Sequence, residues 1–332
     1  MLHNSISDVS MNTSPRFATV CVRGEPLLDA RENKSRMKLM EAVIRQIAAR
    51  DGWSDLDALI FPGGFVRANK PIGSYDFQDR CSSLDGMGLQ SPFVDAAKGL
   101  TRSKGVHVVF GVDGPAYTYG AGGDQLCIGA TRKGITGIAR KVFPTKYESD
   151  CLACFSADYG SSERIVPLSS GRSGALCACY DMFGVAERHK RGTRARNIRL
   201  IEDHDGLPRR KDTKGFREYL DDRLTEFAGA IDGKGCTVAI AAIHYFEGHS
   251  TRFWQCHGLA ACSASLARGR SNPGYAIGAA HFTALPRQPN ASVLAAARVP
   301  ASHLRQAQRR KAHSWLPTDH FSEDQALVRL FS

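Results

Sequence analysis

The residues best placed to do chemistry lie between Gly174 and Gly184, in the run Gly-Ala-Leu-Cys-Ala-Cys-Tyr-Asp-Met-Phe-Gly. An apolar strand there runs into Cys179, Tyr180 and Asp181, so a thiol sits where the backbone must turn. A cysteine at such a terminus faces a cleft, and the N–H groups that follow can meet a developing oxyanion. Taken alone, the segment also suits a packed thiol, because cysteine behaves as a small hydrophobe. A second cluster, His244, His249 and His257 with Glu247 and Trp254, follows an apolar strand. It reads either as a pocket mouth holding a base or as scattered polar residues on a loop. Cys151 and Cys154, taken with Cys177 and Cys179, suggest a zinc site. The second pair is Cys-x-Cys within a strand, whose stiffness suits tetrahedral ligation poorly, so the nucleophile is preferred and no metal or cofactor is expected.

These residues need elements to hold them. Alternating or β-branched runs predict strands at Phe17–Val22, Leu56–Phe61, Val106–Val112, Thr237–Tyr245, Tyr275–Phe282 and Ser292–Val299. Helical spacing of Met37, Met40, Val43, Ile44 and Ile47 predicts a helix over Ser35–Arg50, and others fall at Pro92–Ser103, Glu218–Ile231 and Phe253–Ala267. Hairpins join Gln125–Ala130 to Ile135–Phe143 and Arg164–Leu168 to Ala175–Tyr180. Alternation, then hairpins, then alternation again imply mixed sheets covered by helices. With 42% hydrophobic and 23% charged residues, wholesale disorder is excluded. No apolar run approaches the roughly 20 residues of a membrane span. The first fifteen residues read as a frayed tail rather than a secretory signal, and the ten cysteines as reduced thiols of a cytoplasmic protein. The net charge of +11 is concentrated in Arg188–Lys214 and Arg305–Lys311. Neither stretch is interleaved with aromatics, so solvated surface is favoured over a nucleic-acid partner, with attraction of RNA or an anionic substrate left open.

Three segments together resemble the nitrilase (carbon–nitrogen hydrolase) superfamily. Gly174–Gly184 resembles its nucleophile motif, and Gly137–Pro144, Gly-Ile-Ala-Arg-Lys-Val-Phe-Pro, resembles its lysine motif. Asp57–Pro62 resembles the strand that delivers its glutamate. Lys141 stands 38 positions before Cys179, and Gly63 stands 78 before Lys141, close to the family's intervals. The resemblance implies an α/β fold of the four-layer αββα sandwich kind, with the domain spanning residues 16–300. A basic insertion at 187–215 interrupts it, and residues 301–332 form a C-terminal extension. It also implies Cys179 as nucleophile, Lys141 lowering the thiol pKa and holding the oxyanion, Tyr180 and Asp181 as supports, and a homo-oligomer acting on a small amide or nitrile. One departure bears on activity: where the family has Phe-Pro-Glu, this chain reads Phe61-Pro62-Gly63-Gly64, so the expected general base is absent. Glu148, seven residues after Lys141, resembles an auxiliary glutamate of amidase branches and is a candidate substitute, with an exposed loop carboxylate as the equal alternative. A fold kept for binding an acidic partner, and acyl transfer to an amine, stand beside hydrolysis.

Overall fold

A computed structural model describes residues 14–72, 76–100, 105–115, 123–145, 148, 154–185, 214–245, 258–267, 270, 273–282, 294–297, 313–315 and 317–332. The strands are β1 (Phe17–Arg23), β2 (Ala58–Ile60), β3 (Val66–Arg67), β4 (His107–Gly114), β5 (Asp124–Thr131), β6 (Gly134–Arg140) and β7 (Ile165–Pro167). They continue with β8 (Ser173–Ala178), β9 (Val238–Tyr245), β10 (Gly274–Phe282), β11 (Leu294–Ala297), β12 (His313–Trp315), β13 (Asp319–Glu323) and β14 (Ala326–Phe331). The helices are α1 (Asn33–Ala49), α2 (Phe77–Gly86), α3 (Gln90–Gly99), α4 (Ala157–Gly160), α5 (Met182–Val185), α6 (Lys214–Gly233) and α7 (Ala260–Leu266).

The hydrogen-bonded path runs β6-β5-β4-β2-β1-β10-β9-β8-β7. It folds over at β1 and β10, which pair in parallel only through Val22–His281 and Arg23–Phe282. Strand alternation then divides the side chains among three cores. Ala18, Leu59, Val108, Phe110 and Ile128 point outward against α1 and α3. Ala175, Cys177, Ala239, Ala241 and Ala276 point the other way against α5, α6 and α7. Between the two half-sheets lie Ala58, Ile60, Val109, Cys127, Leu176, Ala178, Ile240 and Ile277. Three cores between helix, sheet, sheet and helix are the αββα sandwich expected from the sequence. Gly129 and Gly137 pair across β5 and β6. A Cβ at Gly137 would stand 2.6 Å from Val166 and 3.0 Å from Leu176 of the facing strands, so glycine lets the half-sheets close at this point.

Several elements depart from the expected bounds. Residues 77–86, for which the sequence pattern predicts no element, form α2, whose start is capped by the Asp76 carboxylate accepting from the Gln78 and Asp79 N–H groups at 2.8 and 3.1 Å. Sheet formation continues beyond residues 292–299. β14 pairs antiparallel along the whole outer edge of β1, and β13 pairs with β14. Phe321, Val328 and Leu330 of that hairpin enter the same core as α1, and Trp53 Nε1 donates to Asp319 at 2.7 Å. The insertion at 187–215 falls almost wholly outside the described residues, as do the basic segment 305–311 and residues 253–257 of the helix expected at Phe253–Ala267.

The hairpin's burial makes it part of the stability of the sandwich. Leu330→Ala removes a buried side chain at the β1 edge and is expected to lower unfolding free energy by about 2–5 kcal/mol in urea titration. A change below about 0.5 kcal/mol would mean that the hairpin is not an integral layer.

Candidate active site

In a sheet with this connectivity, clefts open beyond the carboxyl ends of the parallel strands. β1, β2 and β4 run parallel, as do β8, β9 and β10, and antiparallel β5 returns β6 to the same direction. The chain therefore delivers Gly63 after β2, Asp113 near the end of β4, Lys141 after β6, Cys179 after β8, and His244 near the end of β9 to one side.

Cys179 opens a 3-10 turn directly after β8 and adopts φ 48°. A non-glycine residue in this left-handed region costs on the order of 1–3 kcal/mol and is found disproportionately at functional sites. Asp181, two residues on, anchors the turn. Its Oδ1 accepts from the Val142 and Phe143 N–H groups at 3.0 and 2.9 Å, tying the thiol-bearing turn to the chain just past Lys141. Burial pushes the Asp181 carboxyl up to about 6 against the opposing pull of Arg164. Tyr180 stacks on Phe183, with ring centroids 4.3 Å apart. Both residues belong to the turn itself, Asp181 tying it to the Lys141 segment through its carboxylate and Tyr180 packing on Phe183.

Lys141 is buried, with 1% of its surface exposed. Its Nζ donates to both Glu148 oxygens at 2.8 Å and to Gln125 Oε1 at 2.9 Å. Glu148 also accepts from the Thr145 N–H at 2.9 Å. Burial alone would raise the Glu148 carboxyl, but Lys141 and the Thr145 N–H outweigh it and hold it at about 2. Burial would likewise lower Lys141, yet Cys179 and Glu148 keep its ammonium charged. The neighbouring Arg140 points the other way, into a buried cluster with Asp124 at 3.0 Å and Asp158 at 3.3 Å.

His244 is the member of the histidine cluster that lies within the described residues; His249, His257, Glu247 and Trp254 lie outside them. Its Nε2 meets Asp113 Oδ1 at 2.8 Å. Among the described residues its buried Nδ1 has no partner at ordinary hydrogen-bond geometry, but the Cys179 sulfur is near enough to act on the ring as a hydrogen-bonding neighbour. Burial disfavours the charged ring, whereas Asp113, then Cys179, pushes its pKa up to about 10. Burial pushes the Cys179 thiol up, but Lys141 and His244 outweigh that and leave it below its ordinary value. Cys177, also buried, moves well above its ordinary range under desolvation, which sets it apart from Cys179 although it lies two residues away.

Gly63 explains how His244 fits. A Cβ there would stand 2.6 Å from His244 Nδ1 and 2.7 Å from its Cε1. The imidazole fills the volume into which a side chain at position 63 would project. Asp113 and Gln125 escaped the sequence reading. An acidic residue ending an apolar β-run was the available signal for Asp113, and its partner lies 131 residues away. Cys151 of the considered zinc set lies outside the described residues. Among those residues, no group of three or more His, Cys, Asp or Glu is arranged to hold a metal ion, and no helix is long and apolar enough to cross a membrane.

Two measurements test this geometry. Gly63→Ala is expected to displace the imidazole and break the His244–Asp113 contact, moving the His244 ring resonances toward ordinary imidazole titration in NMR. Unmoved resonances would refute the steric reading. Glu148 is depressed to about 2 on folding, so its stabilising contribution is complete above its ordinary value of 4.5 and disappears as pH falls through 4.5 toward 2. Glu148→Gln should remove that portion of the acid destabilisation seen in chemical unfolding.

No protein-family model matches the chain, and no curated protein is similar to it in sequence. Among solved structures it is similar to an amidase from Nesterenkonia sp., at 13% identity and a TM-score of 0.46 over 96% of this chain and 90% of that one. A cysteine-to-alanine mutant of the Nesterenkonia AN1 amidase, described as from the nitrilase superfamily, gives 14% and 0.47 over 96% and 90%. A carbon–nitrogen hydrolase from Helicobacter pylori G27 gives 11% and 0.47 over 95% and 89%. At identities and TM-scores this low, the roles of Cys179 and its neighbours rest on this chain's own geometry.

Proposed function

We propose that the protein is a cysteine-dependent hydrolase of non-peptide carbon–nitrogen bonds, acting on a small amide or nitrile through a thioester or thioimidate at Cys179. The observation that carries this reading is a strained, buried thiol beside a buried ammonium that Glu148 and Gln125 hold in place. Desolvation alone would leave such a thiol protonated and inert, as at Cys177; Lys141 supports a thiolate instead. Thiolate attack on an amide carbon moves charge onto the carbonyl oxygen. The Lys141 ammonium and the Tyr180 N–H are the donors proposed to receive it. Release of the amine leaves a thioester, and water regenerates the thiol with release of the acid. Glu148, fixed by donors on both oxygens and held at about 2, is a weak base. We assign it the positioning of Lys141 rather than the proton transfer considered from sequence.

Ammonia release from acetamide, propionamide, benzamide and the matching nitriles tests the reading. The native protein is expected to turn over at least one of them, Cys179→Ala to fall to background, and Lys141→Met to lose roughly 10²–10³-fold, the usual cost of one oxyanion donor. Undiminished turnover in Cys179→Ala would end the hydrolase proposal.

A further inference from the structure

We propose that His244, oriented by Asp113, is the proton-transfer group of this site, standing in the volume that a side chain at position 63 would need. The inference rests on the reading of Cys179 as nucleophile and deepens it. Its support is geometric and comes from three separate strand ends. The β2 end contributes an absence of side chain: a Cβ on Gly63 would collide with the His244 ring and, at 2.9 Å, with its backbone nitrogen. The Gly63 N–H donates to the Ile243 carbonyl at 3.0 Å, which holds the two backbones at this close approach. The β4 end contributes Asp113 and the room around it. A Cβ on Gly64, at φ +62°, would lie 2.8 Å from Asp113 Oδ2, and one on Gly111 would lie 2.2 Å from the Gly63 Cα. The β9 end contributes the imidazole, with Nε2 on Asp113 and the Cys179 sulfur as a second hydrogen-bonding neighbour of the ring. Gly63, Gly64 and Gly111 clear the space that a Cys–His–Asp relay occupies in this chain.

The proton accounting closes with these groups alone. The Cys179 proton resides on His244, leaving a thiolate. The thiolate adds to the carbonyl carbon of the amide. As the carbon–nitrogen bond breaks, the imidazolium gives its proton to the departing nitrogen, so a neutral amine or ammonia leaves and a thioester remains. Neutral His244 then takes a proton from the attacking water and keeps it as the acid departs, which restores the starting thiolate and imidazolium. Asp113 fixes the ring through Nε2, which leaves Nδ1 for the proton transfers. Glu148 serves less well in this role, because both its oxygens are engaged and its conjugate acid is too strong to persist near neutral pH.

The charged and titratable groups that face His244 are Asp113 from β4, Cys179 from the turn after β8, and Glu148, which Lys141 holds; His281 on β10 also lies nearby. His281 is held neutral by burial, with Arg36 disfavouring its charge as well. Removal of His244 thus takes away a cation that favours the thiolate, and the Cys179 titration moves to higher pH.

Iodoacetamide alkylation of Cys179, followed by peptide mass between pH 4 and 9 with Cys179→Ala as background, reads this shift directly. His244→Asn, close in size but unable to carry the proton, is expected to raise the midpoint and slow labelling at pH 6 at least tenfold, while reaching the native plateau at high pH. Asp113→Asn, acting through the ring, shifts the midpoint the same way by a smaller amount. Turnover of whichever amide the native protein accepts should fall roughly 10²–10⁴-fold in His244→Asn, and added imidazole should restore part of it in His244→Gly. A native labelling midpoint and native turnover in His244→Asn would overturn the proposal. Should that variant fail to fold, an unshifted midpoint in Asp113→Asn does the same. Loss of turnover in Cys179→Ala together with full turnover in His244→Asn would sink only this inference; full turnover in Cys179→Ala would sink the hydrolase reading beneath it.

Discussion

A positive charge stripped of water is the constraint around which this site is built. Bringing the Lys141 ammonium into the gap beyond β6 carries an effective penalty of several kcal/mol, which only close, well-aligned partners offset. Glu148 and Gln125 supply three short contacts to Nζ, and Cys179 favours the same charge. The arrangement is reciprocal. The thiol is ionisable because the ammonium is there, and the ammonium tolerates burial because anions surround it.

Around that charge, the structure relies on neighbouring residues with opposite destinations. Arg140 and Lys141 are consecutive, yet one reaches Asp124 and Asp158 and the other Glu148. Arg80 adds a second contact to Asp158 at 2.5 Å. This paired cluster gives the β6 end a rigid backing, as a fully satisfied polar network does where a single unpaired member would be costly. Asp181 then couples the Lys141 segment to the Cys179 turn through two backbone N–H groups, so the two segments cannot drift apart independently.

Much of this was legible in the sequence where chemistry and local pattern coincide. Cys179 and Lys141 stand at the ends of clear strands, and the Asp-x-x-x-x-Pro-Gly-Gly run places no side chain at Gly63. The sandwich followed from the order of strands, helices and hairpins. Three things were hidden. Asp113 reads as an ordinary polar end to a β-branched strand, because nothing local ties it to a histidine in another strand. α2 carries few buried apolar side chains, Leu84 among them, so its helical period is faint and its cap is the stronger signal. The hairpin of β13 and β14 follows a basic stretch that looks like a tail, although Ala326, Val328 and Leu330 do alternate. Glu148 was recognisable as a neighbour of Lys141, but its role depends on hydrogen-bond geometry that spacing does not convey.

The crowding at Gly63 has a consequence for how this pocket can change. A side chain at position 63 and the His244 imidazole compete for one volume, so a glutamate introduced there could not simply be added beside the ring. It would have to enter together with removal of the His244 ring and a shift of the β9 backbone. A path of single replacements between the two arrangements therefore passes through a state in which the two side chains clash or both are missing.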